Sequence, residues 1–253
     1  MIQWEGEGIV LSVRPHGESS AIVQVFTEAQ GRHAGVVRGG ASRKMTPVLQ
    51  PGAQVAVEWQ ARLEDHIGSF RVEPVRSRAG LLSDRAGLAG LTAICGLLRE
   101  CLPEREAHGA LYRRTGVLLD AMVAGHRWDA AYVLWELDLL GELGFGLDLS
   151  RCAVTGQTQE LAYVSPKSGR AVSRGGAGEW ADRLLPNPAF LGLRDLEPPP
   201  DQLRDGLSLT GHFIRQWLVP AFGRAGLADE RDRLAAVLTR QVGSGASSTG
   251  ASG

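Results

Sequence analysis

The spacing of apolar residues changes once along this chain, near residue 80, and this change limits the folds that the chain can adopt. Before that point apolar and polar residues alternate in short segments, so that Val55, Val57 and Trp59 share one face. Beyond it, apolar residues recur three or four positions apart. Alternation is typical of strands and the longer spacing of helices. The sequence therefore predicts a multidomain α+β protein in which a β part precedes a mostly helical part.

Five short strands are predicted in the β part, over residues 8–13, 21–27, 32–38, 53–61 and 69–75. Residues 14–17 form a turn cluster. Residues 28–31 form a short connection, in which Gly31 supplies the permissive backbone of a tight hairpin. Because closure removes exposed strand edges, five strands within so short a segment favour a small closed barrel.

The helical part is predicted to hold three helices between residues 81 and 144. The third begins at Asp129 as its N-cap and ends at Gly144 as a left-handed cap. Two further helices are predicted over residues 207–222 and 230–240. The predicted boundaries are a barrel over 1–79, a helical domain over 80–147 and 179–242, an irregular insertion over 148–178 and a flexible tail over 243–253.

The formal net charge of −1 gives no sign of affinity for nucleic acid, so any positive charge that binds it must be local. Three cysteines without Cys-x-x-Cys spacing fit a reducing compartment. No apolar run reaches the roughly 18–20 residues of a membrane span, and the first residues lack the layout of a signal peptide. We therefore expect a cytoplasmic protein without a membrane partner.

Sequence motifs of common catalytic sites are missing. The chain has no Gly-x-x-x-x-Gly-Lys-Ser/Thr phosphate loop, no Gly-x-Ser-x-Gly elbow and no His-Glu-x-x-His pair, and its six histidines are scattered. We therefore expect that the protein is not an enzyme.

Positive charge is concentrated between residues 29 and 57, where no acidic residue occurs. Lysine and arginine contact phosphates, and Gly39 and Gly40 allow the backbone to approach a strand closely. This stretch predicts a nucleic-acid-binding loop, with a solvated surface loop as the alternative. The predicted DNA-binding residues are Arg14, Arg32, Arg38, Arg43, Lys44 and Arg71.

Aromatic residues of the β part could either stack on nucleic-acid bases or pack in the core. The candidates are Trp4, Phe26, Trp59 and Phe70, and the apolar neighbours of Phe26 and Trp59 favour the core. In the helical part, Arg113 and Arg114 lie on a helix whose other face is apolar. This pair predicts a site for an acidic peptide with a hydrophobic end, with a solvated helix face as the alternative.

Zinc binding finds little support in the residues themselves. A structural zinc site needs about four closely placed ligands, whereas Cys152 is followed by no cysteine or histidine until His212. Cys95 and Cys101, on or near a helix, are interpreted as small core residues.

Several segments together resemble the RecO family of bacterial recombination mediators, over roughly residues 1–240. The resemblance is carried by residues 8–11, 17–20, 25–32 and 37–43, and further on by 137–144 and 147–156. It implies an OB-fold barrel, a helical domain and a small zinc-ribbon-like module that binds zinc in many members. It also implies binding of single- and double-stranded DNA and annealing of complementary strands at the nucleoid.

The resemblance implies partners as well. Together with RecR, such a protein helps to load RecA onto strands coated by single-strand binding protein (SSB), and its helical domain receives the acidic C-terminal tail of SSB. Alternative hypotheses are a protein-interaction scaffold without a catalytic centre and an OB-fold binder of RNA.

The zinc module departs from the family pattern of two Cys-x-x-Cys pairs. The first pair is replaced by Cys152 and Thr155, and the second by Ser173 and Gly176. Three of the four ligand positions are therefore missing, so we expect a degenerate module without metal and a protein without a cofactor.

Overall fold

The computed structural model describes residues 1–63, 65–223 and 226–246, without the side chains of residues 227 and 242–246. The chain forms two compact units, Met1–Gly125 and His126–Gly253. None of the described helices combines the length and apolar character needed to cross a membrane.

The first unit contains the predicted five-stranded barrel. Its strands are β1 (Ile2–His16), β2 (Ser20–Thr27), β3 (Gly31–Val37), β4 (Gln54–Ala61) and β5 (Ser69–Arg76). They follow the order β1-β2-β3-β5-β4, and β4 pairs back with β1 to close the barrel. Pairing is antiparallel except between β3 and β5. This order is that of an OB-fold, and the predicted inward residues Val55, Val57 and Trp59 are buried in its core.

Strand β1 is longer than predicted. Its first half pairs with β4 and its second half with β2, so one strand serves both sides of the closure. The predicted turn at 14–17 is wrong for its first three residues, because Arg14, Pro15 and His16 continue the pairing with β2. The chain reverses after them, at Gly17, whose φ is +62°.

Two helices, α1 (Arg85–Cys101) and α2 (Gly109–Val123), complete the first unit after a short 3-10 helix, Ala79–Ser83. The buried Arg78 connects α2 to the barrel, since it donates to Asp120 Oδ1 at 2.7 Å and to the carbonyl of Gly52 at 2.6 Å. The sequence places a domain boundary where strands give way to helices. Because α1 and α2 pack on the barrel, the first compact unit extends beyond this boundary to Gly125.

In the second unit, α3 (Asp129–Glu142) begins one residue earlier than a cap at Asp129 allows. Trp128 occupies the N-cap, and Asp129 is the first helical residue, where its carboxylate interacts favourably with the helix dipole. The prediction of Asp129 as the cap is therefore wrong. Gly144 is left-handed as predicted, with φ of +83°.

The predicted helix over 207–222 is divided in the structure. Helix α6 (Pro200–Phe213) leads into a π-helical turn, Ile214–Leu218, and then into α7 (Val219–Phe222). The π turn ends two residues before Pro220, whose ring and missing N–H disrupt regular helical hydrogen bonding. Helix α8 (Gly226–Ala246) continues past residue 242, so the predicted tail begins in helix, and its residues 247–253 lie outside the described residues.

Short strands are formed near and within the segment predicted to be irregular. They are β6 (Tyr163–Val164), β7 (Ala171–Val172) and β8 (Leu185–Pro186), in the order β7-β6-β8. Around them lie the short helix α4 (Arg174–Ala177), a 3-10 helix (Gly178–Arg183) and α5 (Ala189–Leu193). Cys152, Val172 and Ala177 form a small buried cluster in the same region. We call this sheet, together with the turns at residues 152–156 and 173–177, the sheet module. Its classification as a zinc ribbon stays a prediction.

Candidate nucleic-acid interface

The loop between β3 and β4 closes one end of the barrel. Residues 38–49, the basic loop, form successive hydrogen-bonded turns, such as Ser42 N to Gly39 O at 3.0 Å and Leu49 N to Met45 O at 2.8 Å. Leu49 is buried, and Met45 and Val48 pack against the barrel core. The apolar side of the loop therefore holds it in place, while Arg38, Arg43 and Lys44 are exposed.

The basic loop lies against the turn between β1 and β2. Ala41 N donates to the carbonyl of Ser19 at 3.0 Å, and a Cβ at Gly40 would lie 2.9 Å from that of Ala21. Glycine is needed at position 40 for this close approach, as predicted, whereas a Cβ at Gly39 would meet nothing within 4 Å.

Strand register adds Arg14 to the same end. Arg14 pairs with Ile22, which pairs with Val36, so Arg14 lies on the outer face of the strands that lead into the basic loop. His16, which the sequence analysis did not select, is exposed on that face two residues further along β1. Glu18, in the adjoining turn, offsets part of the charge. We define the basic end as Arg14, His16, Arg38, Arg43 and Lys44.

The arginines and the lysine of the basic end have charges available for a ligand. Within the described part of the chain, no ion pair or side-chain hydrogen bond joins Arg14, Arg38, Arg43 or Lys44 to another residue. Ordered turns therefore present four exposed cations at one end of an OB barrel, an arrangement suited to a phosphate backbone.

Arg32 lies elsewhere and is engaged within the protein. Its guanidinium pairs with Glu104 at 3.0 Å and donates to the carbonyl of Leu102 at 2.8 Å. Its side chain is only 14% exposed. These contacts attach the segment before α2 to β3, so the charge of Arg32 serves the fold.

Arg71 lies on the acidic face of the barrel, which we define as Glu5, Glu7, Glu58 and Glu73. All four carboxylates are exposed on β1, β4 and β5, and Arg71 pairs with Glu58 at 3.4 Å. Glu5 and Glu58 are direct neighbours across the β1–β4 ladder. Phosphate is repelled by such a face, so the structure separates Arg71 from the other predicted DNA-binding residues.

The aromatic candidates belong mainly to the core. Phe26, Trp59 and Phe70 are buried, which confirms the core interpretation for Phe26 and Trp59. Trp4 is half-buried and stacks on Trp59 with ring centroids 6.0 Å apart. His33 is enclosed by the same rings, and burial together with the charge of Arg105 lowers its pKa to about 4. His33 is therefore neutral at physiological pH and adds no charge to the stretch between residues 29 and 57.

The predicted arginine pair lies on the exposed face of α2. Arg113 forms an ion pair with Glu28, and Arg114 is exposed beside it. One turn further along the helix, Val117 is 72% exposed. The structure thus brings two guanidinium groups close to an exposed apolar side chain, although a ligand carboxylate would have to compete with Glu28 for Arg113.

The four positions that replace the two Cys-x-x-Cys pairs of the family pattern lie close together in the sheet module. Cys152 Sγ accepts hydrogen bonds from Ser173 N at 3.2 Å, Ser173 Oγ at 3.3 Å and Thr155 N at 3.4 Å. Burial raises the pKa of the Cys152 thiol, but these hydrogen bonds outweigh it and lower the pKa to about 6. One thiol, two hydroxyls and a glycine are a poor donor set for zinc. No group of three or more His, Cys, Asp or Glu side chains suited to a metal occurs among the described residues.

Comparison with known proteins places the chain among repair proteins. Two family models match it: "Recombination protein O N terminal" over residues 1–78 and "Recombination protein O C terminal" over residues 82–223. It is 57% identical over 241 residues to the DNA repair protein RecO of Cereibacter sphaeroides, and this match covers 95% of the chain and all of the relative. RecO proteins of Roseobacter denitrificans and Ruegeria sp. are 54% and 53% identical, again over 95% of this chain and the whole relative.

An OB barrel followed by a helical part, with these relatives, defines a protein of DNA repair and recombination. Within that class, the chain belongs to the RecO family. The resemblance inferred from the sequence is therefore confirmed.

Proposed function

We propose that this protein binds single- and double-stranded DNA through the basic end of its barrel and anneals complementary strands. The observation that carries the proposal is the group of four exposed cations without a described partner, Arg14, Arg38, Arg43 and Lys44. Each phosphate that such a group neutralises releases condensed counterions, which favours binding. DNA held at the basic end of one molecule would be screened from self-repulsion while a second strand pairs with it.

We further propose a mediator role without catalysis, in the cytoplasm at the nucleoid. In this role the protein acts with RecR to load RecA onto SSB-coated DNA. The arginine pair on α2 and the exposed Val117 have the chemistry to receive the acidic, hydrophobic-ended tail of SSB. We also propose that the protein works without zinc or another cofactor. About one zinc per chain in metal analysis of the purified protein would contradict the last proposal.

The DNA-binding proposal is tested with the triple variant Arg38→Ala/Arg43→Ala/Lys44→Ala. Loss of three phosphate contacts is expected to weaken binding of a single-stranded oligonucleotide by roughly tenfold or more at moderate salt, and to slow annealing in parallel. Arg71→Ala is the matched control, because it removes an exposed cation from the acidic face. Unchanged affinity in the triple variant, or an equal loss in the control, would show that the basic end is not the DNA-binding site. Competition between DNA and RNA of the same sequence for the protein distinguishes DNA binding from the alternative of RNA binding.

A further inference from the structure

Two turns of the sheet module meet at one sulfur atom. Thr155, in the turn that contains Cys152, donates its backbone N–H to Cys152 Sγ, and so does Ser173, which lies 21 residues beyond Cys152. The Ser173 hydroxyl adds a third hydrogen bond. Cys152 and Ser173 are 1% and 0% exposed. The sulfur is therefore a buried acceptor shared by two segments that are distant in sequence.

The two turns also have the same internal design. The first is closed by a bond from Gly156 N to the carbonyl of Cys152 at 2.9 Å. The second is closed in the same way by a bond from Ala177 N to the carbonyl of Ser173 at 3.0 Å, and Gly176 N donates to Ser173 Oγ at 3.1 Å as Thr155 N does to Cys152 Sγ. A Cβ at position 176 would lie 3.0 Å from both Cys152 Sγ and Ser173 Oγ, and 3.3 Å from Thr155 Cγ2. All four positions consequently border one small space.

The present side chains do not offer a metal site in this space. Of the four positions only Cys152 supplies a thiolate, whereas a structural zinc site is held by about four cysteine or histidine ligands. Here the Ser173 hydroxyl lies 3.3 Å from the sulfur and is directly hydrogen-bonded to it. The link between the turns is thus made by hydrogen bonds where a metal would otherwise make it.

We infer that Cys152 has a structural role equivalent to that of a metal: its sulfur is the acceptor that joins the two turns and fixes the sheet module. The role differs from that of an ordinary buried cysteine. Cys101 is equally buried, but it does not bridge two turns in the described structure. A corollary is that the backbone around Cys152 retains the layout of a four-thiolate site, and three substitutions should restore it.

Amide hydrogen exchange on the full-length protein tests the role of the sulfur. In Cys152→Ala, the amides of Thr155 and Ser173 should exchange roughly tenfold or more faster than in the wild type, because their acceptor is gone. Cys101→Ala is the matched control and should leave both amides unchanged. Unaltered protection of the two amides in Cys152→Ala would overturn the inference.

Cobalt titration under reducing conditions tests the corollary. The variant Thr155→Cys/Ser173→Cys/Gly176→Cys should bind one cobalt ion per chain with the intense visible absorption of a tetrahedral thiolate complex, and the wild type should show none. Adding Cys152→Ser to that variant should abolish this spectrum. A folded four-cysteine variant without cobalt absorption, or a wild type that binds cobalt stoichiometrically, would contradict the corollary. If the variant fails to fold, the exchange experiment alone decides.

Discussion

At the residue scale, His33 and the aromatic rings around it make part of the barrel core sensitive to pH. Its ring lies against Trp4, Trp59 and Phe70, and neither ring nitrogen has a hydrogen-bond partner in the described structure. A protonated imidazole would be buried there without compensation, close to the charge of Arg105. The folded protein therefore favours the neutral ring, which the unfolded chain does not.

This preference predicts a loss of stability in acid. The folded pKa of His33, about 4, lies below its ordinary value of 6.5, so between these values the unfolded state binds the proton more strongly. The contribution of neutral His33 to the free energy of unfolding is fully present above pH 6.5. It is lost as the pH falls towards 4, which lowers the stability by up to about 3 kcal/mol. Urea unfolding of wild type and His33→Phe across this range isolates the contribution. Parallel pH profiles for the two proteins would show that His33 makes none.

At the element scale, the contact between α2 and the barrel depends on one carboxylate. Asp120 accepts from the buried Arg78 and from Arg76. Burial raises the pKa of Asp120, but these two partners outweigh it and the pKa is lowered. Arg78 is 2% exposed, so it depends on Asp120 for compensation of its charge.

Asp120→Asn is therefore expected to destabilise the first unit by about 2–4 kcal/mol, because it leaves a buried guanidinium without its counter-charge. Glu28→Gln is a suitable comparison, since it breaks the exposed pair with Arg113 in the same unit. That pair should contribute less than about 1 kcal/mol. Chemical denaturation of both variants provides the measurement, and equal effects would show that Arg78 does not need Asp120.

Elements with long, regular patterns were predictable, whereas those set by distant contacts were not. Alternation and helical spacing located the five barrel strands and the first three helices. The short strands of the sheet module are only two residues long, too short for any period to show. The same holds for the candidate site. The local excess of positive charge predicted the exposed basic loop, but no nearby residue indicated that Arg32 pairs with Glu104, 72 residues away.

At the scale of the whole molecule, the barrel of the first unit has a basic end and an acidic face. Glu5 and Glu58 are directly opposed across two strands, an arrangement that costs stability in a sheet. We propose that the acidic face keeps DNA off β1, β4 and β5 and so directs it to the basic end.

Neutralising part of that face should therefore strengthen DNA binding. Glu58→Gln/Glu73→Gln is expected to raise affinity by roughly two- to fivefold at low salt and by little near 0.15 M, where the Debye length is about 8 Å. Fluorescence anisotropy with a labelled oligonucleotide at the two salt concentrations measures this. A gain that persists undiminished at the higher salt, or no gain at either, would contradict the proposed steering.

The salt dependence of single-strand binding tests the central claim most directly. Plots of log affinity against log salt concentration for the wild type and Arg38→Ala/Arg43→Ala/Lys44→Ala give the number of phosphates that each protein contacts. The basic end predicts a slope shallower by about 2 in the triple variant, at about 0.7 per phosphate contact, with the wild-type slope retained in Arg71→Ala. Equal slopes for the wild type and the triple variant would show that DNA binds elsewhere.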